Sequence, residues 1–219
     1  MLLASWAQYK VKSSFANGQQ VPASCGLSGL EVAKRILEVN RITNVGIEQV
    51  QGKLRDHYDP KAKMLRLSSD VYHGKDLAAL GVAAHEVGHA IQDATNYAPL
   101  RLRNGIVPLA SFGSQFSVTS MMLGGAMQMS GLVLLGVLLF CLTVAFQVVN
   151  LPVEFDASSR ARKILLKQGI VTTSEDKTVG KVLNAAALTY VAATVSSIGT
   201  MLYYLARFSS RRRLSLIHI

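Results

Sequence analysis

The chain has 219 residues, of which half are hydrophobic and 16% are charged, with a formal net charge of +10. A soluble domain carries about 25% charged residues, so this composition argues against a soluble globular protein and for a membrane protein. The positive balance could serve nucleic acid or anionic lipid, but the chain has no nucleic-acid-binding motif and no basic stripe with interleaved aromatics, and many of its basic residues flank apolar runs.

The first residues do not form a signal peptide: the apolar stretch ends by Ala7 and no basic segment precedes it. They are expected to be the stub of a membrane helix or an interfacial anchor using Trp6, Tyr9 and Phe15, followed by a polar loop over 13–25. Ser28 and Glu31 form the pattern of a capping box, which predicts a helix running to about Asn40. Short strands are expected over 45–50, 53–58 and 63–67, the last two joined by a turn at Asp59-Pro60-Lys61. Residues 76–94 read as a strong helix, rich in Ala and Leu, with Asp76 at its start.

From 104 to 153 no residue is charged. A single membrane helix needs about 20 residues, so this run predicts a hairpin of two, over 106–124 and 130–150, turning in the Gly-rich segment 124–131. Pro152 and Glu154 are expected to end the second helix. A basic amphipathic helix over 154–168, a polar loop over 171–178 and a third uncharged membrane helix over 182–206 then follow. Cys25 and Cys141, one in a polar stretch and one in an apolar run, read as unpaired thiols.

The segment with chemistry in it is His85-Glu86-Val87-Gly88-His89, an HExxH motif on the predicted 76–94 helix. Positions i and i+4 share a helix face, so both imidazoles can reach one zinc ion, and Glu86 can act as general base toward the attacking water. The opposing reading, two surface histidines with a glutamate between them, fits poorly with the Ala- and Val-rich surroundings. A catalytic zinc commonly has a third protein ligand. His57 and His73 precede the motif and read as ordinary strand or loop histidines, and His218 lies in the last residues of the tail. Glu154 is the more promising candidate: two helices in hairpin return the chain to the side it left, so Glu154 re-emerges on the side of His89. A charge next to a membrane span can equally be a simple end marker.

Several segments resemble the YugP-like neutral zinc metallopeptidases of bacterial membranes: Gly29-Leu30-Glu31-Val32-Ala33, Asp56-His57-Tyr58-Asp59-Pro60, Val71-Tyr72-His73-Gly74, the helix around the motif, Tyr97-Ala98-Pro99-Leu100-Arg101, and Leu151-Pro152-Val153-Glu154-Phe155-Asp156-Ala157-Ser158. The resemblance spans 24–190. It implies a mainly α membrane protein with a small gluzincin-like α/β catalytic part, a transmembrane hairpin and a C-terminal membrane helix. The expected organisation is an N-terminal stub and loop (1–25), the metallopeptidase part (26–103), the hairpin (104–153), a helix with the third ligand and a loop (154–181), a membrane helix (182–206) and a basic tail (207–219). The resemblance also implies one zinc ion per chain held by His85, His89 and Glu154, with Glu86 as general base. More distantly similar membrane peptidases of the HtpX and CAAX-prenyl type carry an aspartate four residues after the glutamate ligand. Here that position is Ser158, and the nearby acid is Asp156, a candidate for the layer around the ligands; Tyr190 is a candidate oxyanion donor.

These observations together predict a membrane-bound metalloendopeptidase acting on protein or peptide, multi-pass in the bacterial plasma membrane, with no nucleic-acid partner. The strand over 63–67 is a candidate for edge pairing with an extended substrate. A site-2 type intramembrane protease is disfavoured, because Lys75, Asp76 and Asp93 closely bound the motif helix and the later spans hold no charge. A non-catalytic zinc-dependent membrane chaperone is the alternative outside enzymology. The basic residues near the membrane ends on the motif side place the site in the cytosol by the positive-inside rule, although Arg207 and Arg211 to Arg213 oppose it if the third span crosses.

Overall fold

The computed structural model describes residues 2–217, with side chains described as far as Ala206; the basic tail over 207–219, including His218, lies outside the described side chains. Among the described residues, seven helices and three strands follow in the order α1 (Leu2–Gln19), α2 (Gly29–Val39), β1 (Gly46–Val50), β2 (His57–Asp59), β3 (Met64–Ser68), α3 (Ser69–Tyr72), α4 (Leu77–Ala94), α5 (Ala98–Ala126), α6 (Ser130–Lys167) and α7 (Thr173–Ile217).

Local chemistry sets several of the boundaries. Ser28 and Glu31 close a reciprocal capping box on α2, and the Asp76 side chain accepts from the Ala79 N–H at the start of α4. The sheet order is β1-β3-β2, with β1 parallel and β2 antiparallel to β3. Inward-facing Leu65 and Leu67 of β3 are fully buried and join Val32 and Ile36 of α2 and Leu77, Leu80 and Val87 of α4 in one core. Asp93 near the end of α4 is bound by Tyr58 of β2 and by Lys63 in the turn between β2 and β3, which ties the motif helix to the sheet.

Among the described residues, three helices are long and apolar enough to cross a membrane: Ala98–Ala126, Ser130–Lys167 and Thr173–Ala206. The motif helix α4 is not one of them.

The structure corrects several expectations. Residues 13–19 are helical rather than loop, because Phe15 and Gly18 of α1 are buried, Gly18 against Ala78 of α4 and Val182 of α7. Tertiary packing there outweighs the weak helix preference of Ser, Asn and Gly. The strand expected over 53–58 shrinks to His57–Asp59, since Gly52 and Leu54 take positive φ and break the extended run. The first hairpin helix begins at Ala98 and passes through Pro108. Pro152 does not end the second helix either: α6 is continuous to Lys167, with Val153, Glu154, Ala157 and Ser158 buried against neighbouring helices. Packing from neighbours offsets the hydrogen bond that a proline removes. The loop expected over 171–178 is already helix from Thr173, because Thr172 and Glu175 bond reciprocally as a capping box. Finally, the strand proposed as a substrate edge, β3, is the central strand with partners on both sides.

Candidate metal centre

The site forms where α4 crosses α6. A methyl group built on Gly88 would lie 2.7 Å from the Ala157 carbonyl oxygen, so only glycine at this position of the motif lets the two backbones approach so closely. The close crossing brings His85 and His89, one turn apart on α4, opposite Glu154 on α6. Glu154 Oε2 lies 3.4 Å from His85 Nε2 and 3.6 Å from His89 Nε2, longer than a good hydrogen bond. The ligand atoms of all three residues fall within 4.8 Å of one another.

The layer outside them fixes both rings. His89 Nδ1 lies 3.0 Å from Gln92 Oε1, and Gln92 Nε2 donates to the Val153 carbonyl and to Asp156 Oδ2. His85 Nδ1 lies 3.1 Å from Ser158 Oγ. Protons on both Nδ1 atoms leave both Nε2 lone pairs turned toward Glu154, the tautomer a metal requires. Glu154 Oε2 is buried and has no hydrogen-bond partner among the described residues. Two imidazole nitrogens and an unsatisfied buried carboxylate oxygen converging on one point fit a tetrahedral divalent cation such as zinc, which takes nitrogen and carboxylate donors.

Glu86 points from the same helix into a cleft of about 470 Å³ that also takes in His85, Glu154, Ser158 and Tyr190. Burial pushes the Glu86 carboxyl above the ordinary carboxylate range; His85 and His89 oppose this, while Glu154 and Asp56 add to it. For His89, burial alone would lower the ring's pKa, but the facing carboxylates of Glu154 and Glu86 outweigh it and hold it above the usual value. Gln8 and Lys12 of α1 and Leu54 and Asp56 before β2 close the cleft. Asp56 accepts from the Ser68 N–H and hydroxyl; burial raises its pKa and these bonds lower it.

The residues singled out from sequence are thus distributed plainly. His85, Glu86, His89 and Glu154 come together, and Tyr190 lines the cleft. Asp156 stands one residue farther out, bonded to Gln92 and Arg160. His57 and His73 are exposed, bonded to the Arg55 carbonyl and to Gln49, and are outside the cluster. Sequence reasoning passed over Gln92 and Asp56. A lone glutamine in an Ala-rich buried helix was a visible signal for the first, whereas nothing local marks the second.

The family described as "Putative neutral zinc metallopeptidase" matches residues 1–209. The chain is 45% identical over 212 residues to "Putative membrane protease YugP" of Bacillus subtilis (strain 168), covering 96% of this chain and 93% of that protein. No solved structure matches the chain.

Proposed function

The chain belongs to the neutral zinc metallopeptidase family, and from that premise we propose that it is a membrane-bound zinc endopeptidase with His85, His89 and Glu154 as ligands. What supports this most is the convergence of two Nε2 atoms and the unsatisfied Glu154 oxygen beside Glu86 in one open cleft. A zinc ion bound there supplies Lewis acidity toward the scissile carbonyl and lowers the pKa of the attacking water. Glu86, buried beside His85 and His89, takes the water's proton as a carboxylate and returns it to the departing amine. Tyr190, which also lines the cleft, would donate to the oxyanion. An extended peptide would pair with the free edge of β2, since Asp56 immediately before it lines the cleft.

Three helices long and apolar enough to span would make the protein multi-pass, with Arg101, Arg160, Lys163 and Lys167 near the membrane surface on the side of the motif. By the positive-inside rule that surface is cytosolic. The test is Glu86→Gln, assayed by mass spectrometry of cleaved peptides alongside bound zinc. The variant keeps its zinc and loses proteolysis by about a hundredfold or more. Cleavage at the parental rate removes the peptidase assignment from this site and leaves the non-catalytic alternative.

A further inference from the structure

Glu154 sits near one end of a row of buried polar atoms on α6. Asn150, one turn earlier, is 4% exposed and offers Nδ2 to Glu154 Oε1 at 3.4 Å. Its own Oδ1 is buried with no hydrogen-bond partner among the described residues. A buried amide oxygen left without a donor is costly, the more so in apolar surroundings, so a donor is called for.

The packing of α5 on α6 indicates where that donor is. A methyl group on Gly136 would lie 2.7 Å from the Ser117 carbonyl oxygen, so these positions oppose each other across the antiparallel hairpin. Asn150 follows Gly136 by two heptads, and Arg103 precedes Ser117 by two heptads. Two heptads keep a residue near the same helix face, drifting by only about 40°. In antiparallel helices, equal steps in opposite chain directions arrive at the same level, so Arg103 stands at the level of Asn150 on the neighbouring helix. Arg103 Nε is buried and has no hydrogen-bond partner among the described residues. It is the only nitrogen among the unsatisfied side-chain atoms found there, the others being oxygens.

We propose that Arg103 and Asn150 are positioning residues for the metal centre: Arg103 donates through one bridging water to Asn150 Oδ1, and so holds the Asn150 amide with its Nδ2 on Glu154. The relay would fix the carboxylate from the membrane side, as Ser158 and Gln92 fix the two histidines from theirs. It rests on the reading of Glu154 as a metal ligand.

The experiment measures zinc affinity by chelator competition on the full chain in detergent, with thermal unfolding of the zinc-free protein as the structural control. Asn150→Ala weakens zinc by about 10–100-fold, the usual effect of removing a group that orients a ligand. Asn150→Asp keeps the shape but has no amide donor, and weakens zinc at least as much. Arg103→Gln gives a smaller loss in the same direction, and its effect largely vanishes in the Asn150→Ala background. Gln147→Leu, one turn deeper on the same row, leaves zinc affinity within twofold. The relay is overturned if Asn150→Asp binds zinc like the parent, if the Arg103 and Asn150 effects are additive, or if Gln147→Leu costs as much as Asn150→Ala. Parental zinc affinity in Glu154→Ala would instead remove the ligand reading itself.

Discussion

The part of the molecule built from α2, the sheet and α4 and the α5–α6 hairpin are held together by different means. The first has a core of fully buried Leu, Ile and Val side chains, Leu65, Leu67, Leu80 and Ile36 among them. In the second, only 22% and 17% of the most apolar windows of α5 and α6 are buried, and Leu135, Leu138, Phe112 and Phe116 point outward. Its two helices meet instead through Gly113, Gly124 and Gly136, where a methyl group would strike the opposite backbone or side chains. Burial away from water drives the first arrangement; close backbone approach serves the second, as it does between helices in a bilayer, where lipid would remove the reason to hide apolar surface. The candidate metal centre lies where the two regimes meet, with the histidines on a helix of the first kind and the glutamate on a helix that continues into the second. The Gly88–Ala157 crossing shows the hairpin's type of close approach within the water-facing half.

The largest expected effect comes from breaking that crossing. Gly88→Leu forces α4 off α6 and separates the histidines from Glu154. Overpacking typically costs about 1–3 kcal/mol in stability, but here the displacement also opens the ligand set, so zinc is lost to a mild chelator together with activity. Gly125→Leu, where nothing lies within 4 Å of an added methyl, leaves both unchanged. Equal losses in the two variants would mean that glycine content, not the crossing, is what matters.

Next in size is a matched pair of cavity substitutions. Leu80→Ala, in the water-facing core, destabilises by about 2–5 kcal/mol. Leu138→Ala, on the outward face of α6 at 58% exposure, changes stability by no more than about 0.5 kcal/mol. Thermal unfolding in detergent ranks them. A Leu138→Ala loss as large as that of Leu80→Ala would place the outward face of the hairpin against protein.

The smallest effect belongs to the partly exposed ion pair of Asp59 with Arg66, which together with the turn bonds from Ala62 and Lys61 lowers the Asp59 pKa to about 2. Because the folded value lies below that of an unfolded aspartate, this stabilisation is present above about pH 4 and is lost as pH falls through about 2. Asp59→Asn should therefore unfold slightly earlier than the parent at neutral pH, with most of the difference gone by about pH 2. A difference that persists undiminished at pH 2 would show that the side chain acts through the turn bonds to Lys61 and Ala62 rather than through its charge.

Much of this was readable in the sequence wherever the signal is local. The capping box at Ser28 and Glu31, the Asp76 cap, the i, i+4 histidines and the uncharged 104–153 run each carry their structural meaning in their own spacing. The hairpin argument also brings Glu154 back to His89, because two antiparallel helices return the chain to its starting side. What escaped were features decided by distant contacts. Pro152 looks like a helix end until its neighbours are in place, and the polar residues 13–19 look like loop until Phe15 and Gly18 find α4 and α7. The Thr172 and Glu175 box was visible in the sequence as T-x-x-E and was overlooked because the segment is polar. Ser158 was set aside for lacking a carboxylate, yet one hydroxyl suffices to hold the Nδ1 of a neutral imidazole.

The central claim is that His85, His89 and Glu154 together hold one zinc ion, and the most direct test compares Glu154→Ala with Asp156→Ala. Both are folded, purified in detergent, loaded with zinc and challenged with a mild chelator while released metal is measured. The parent retains about one zinc per chain. Glu154→Ala gives up its metal, and Asp156→Ala, which acts only through Gln92, keeps most of it, with a loss of affinity of no more than about 10–100-fold. If Asp156→Ala releases zinc and Glu154→Ala holds it, the site is built on a different carboxylate and the geometry drawn here is contradicted.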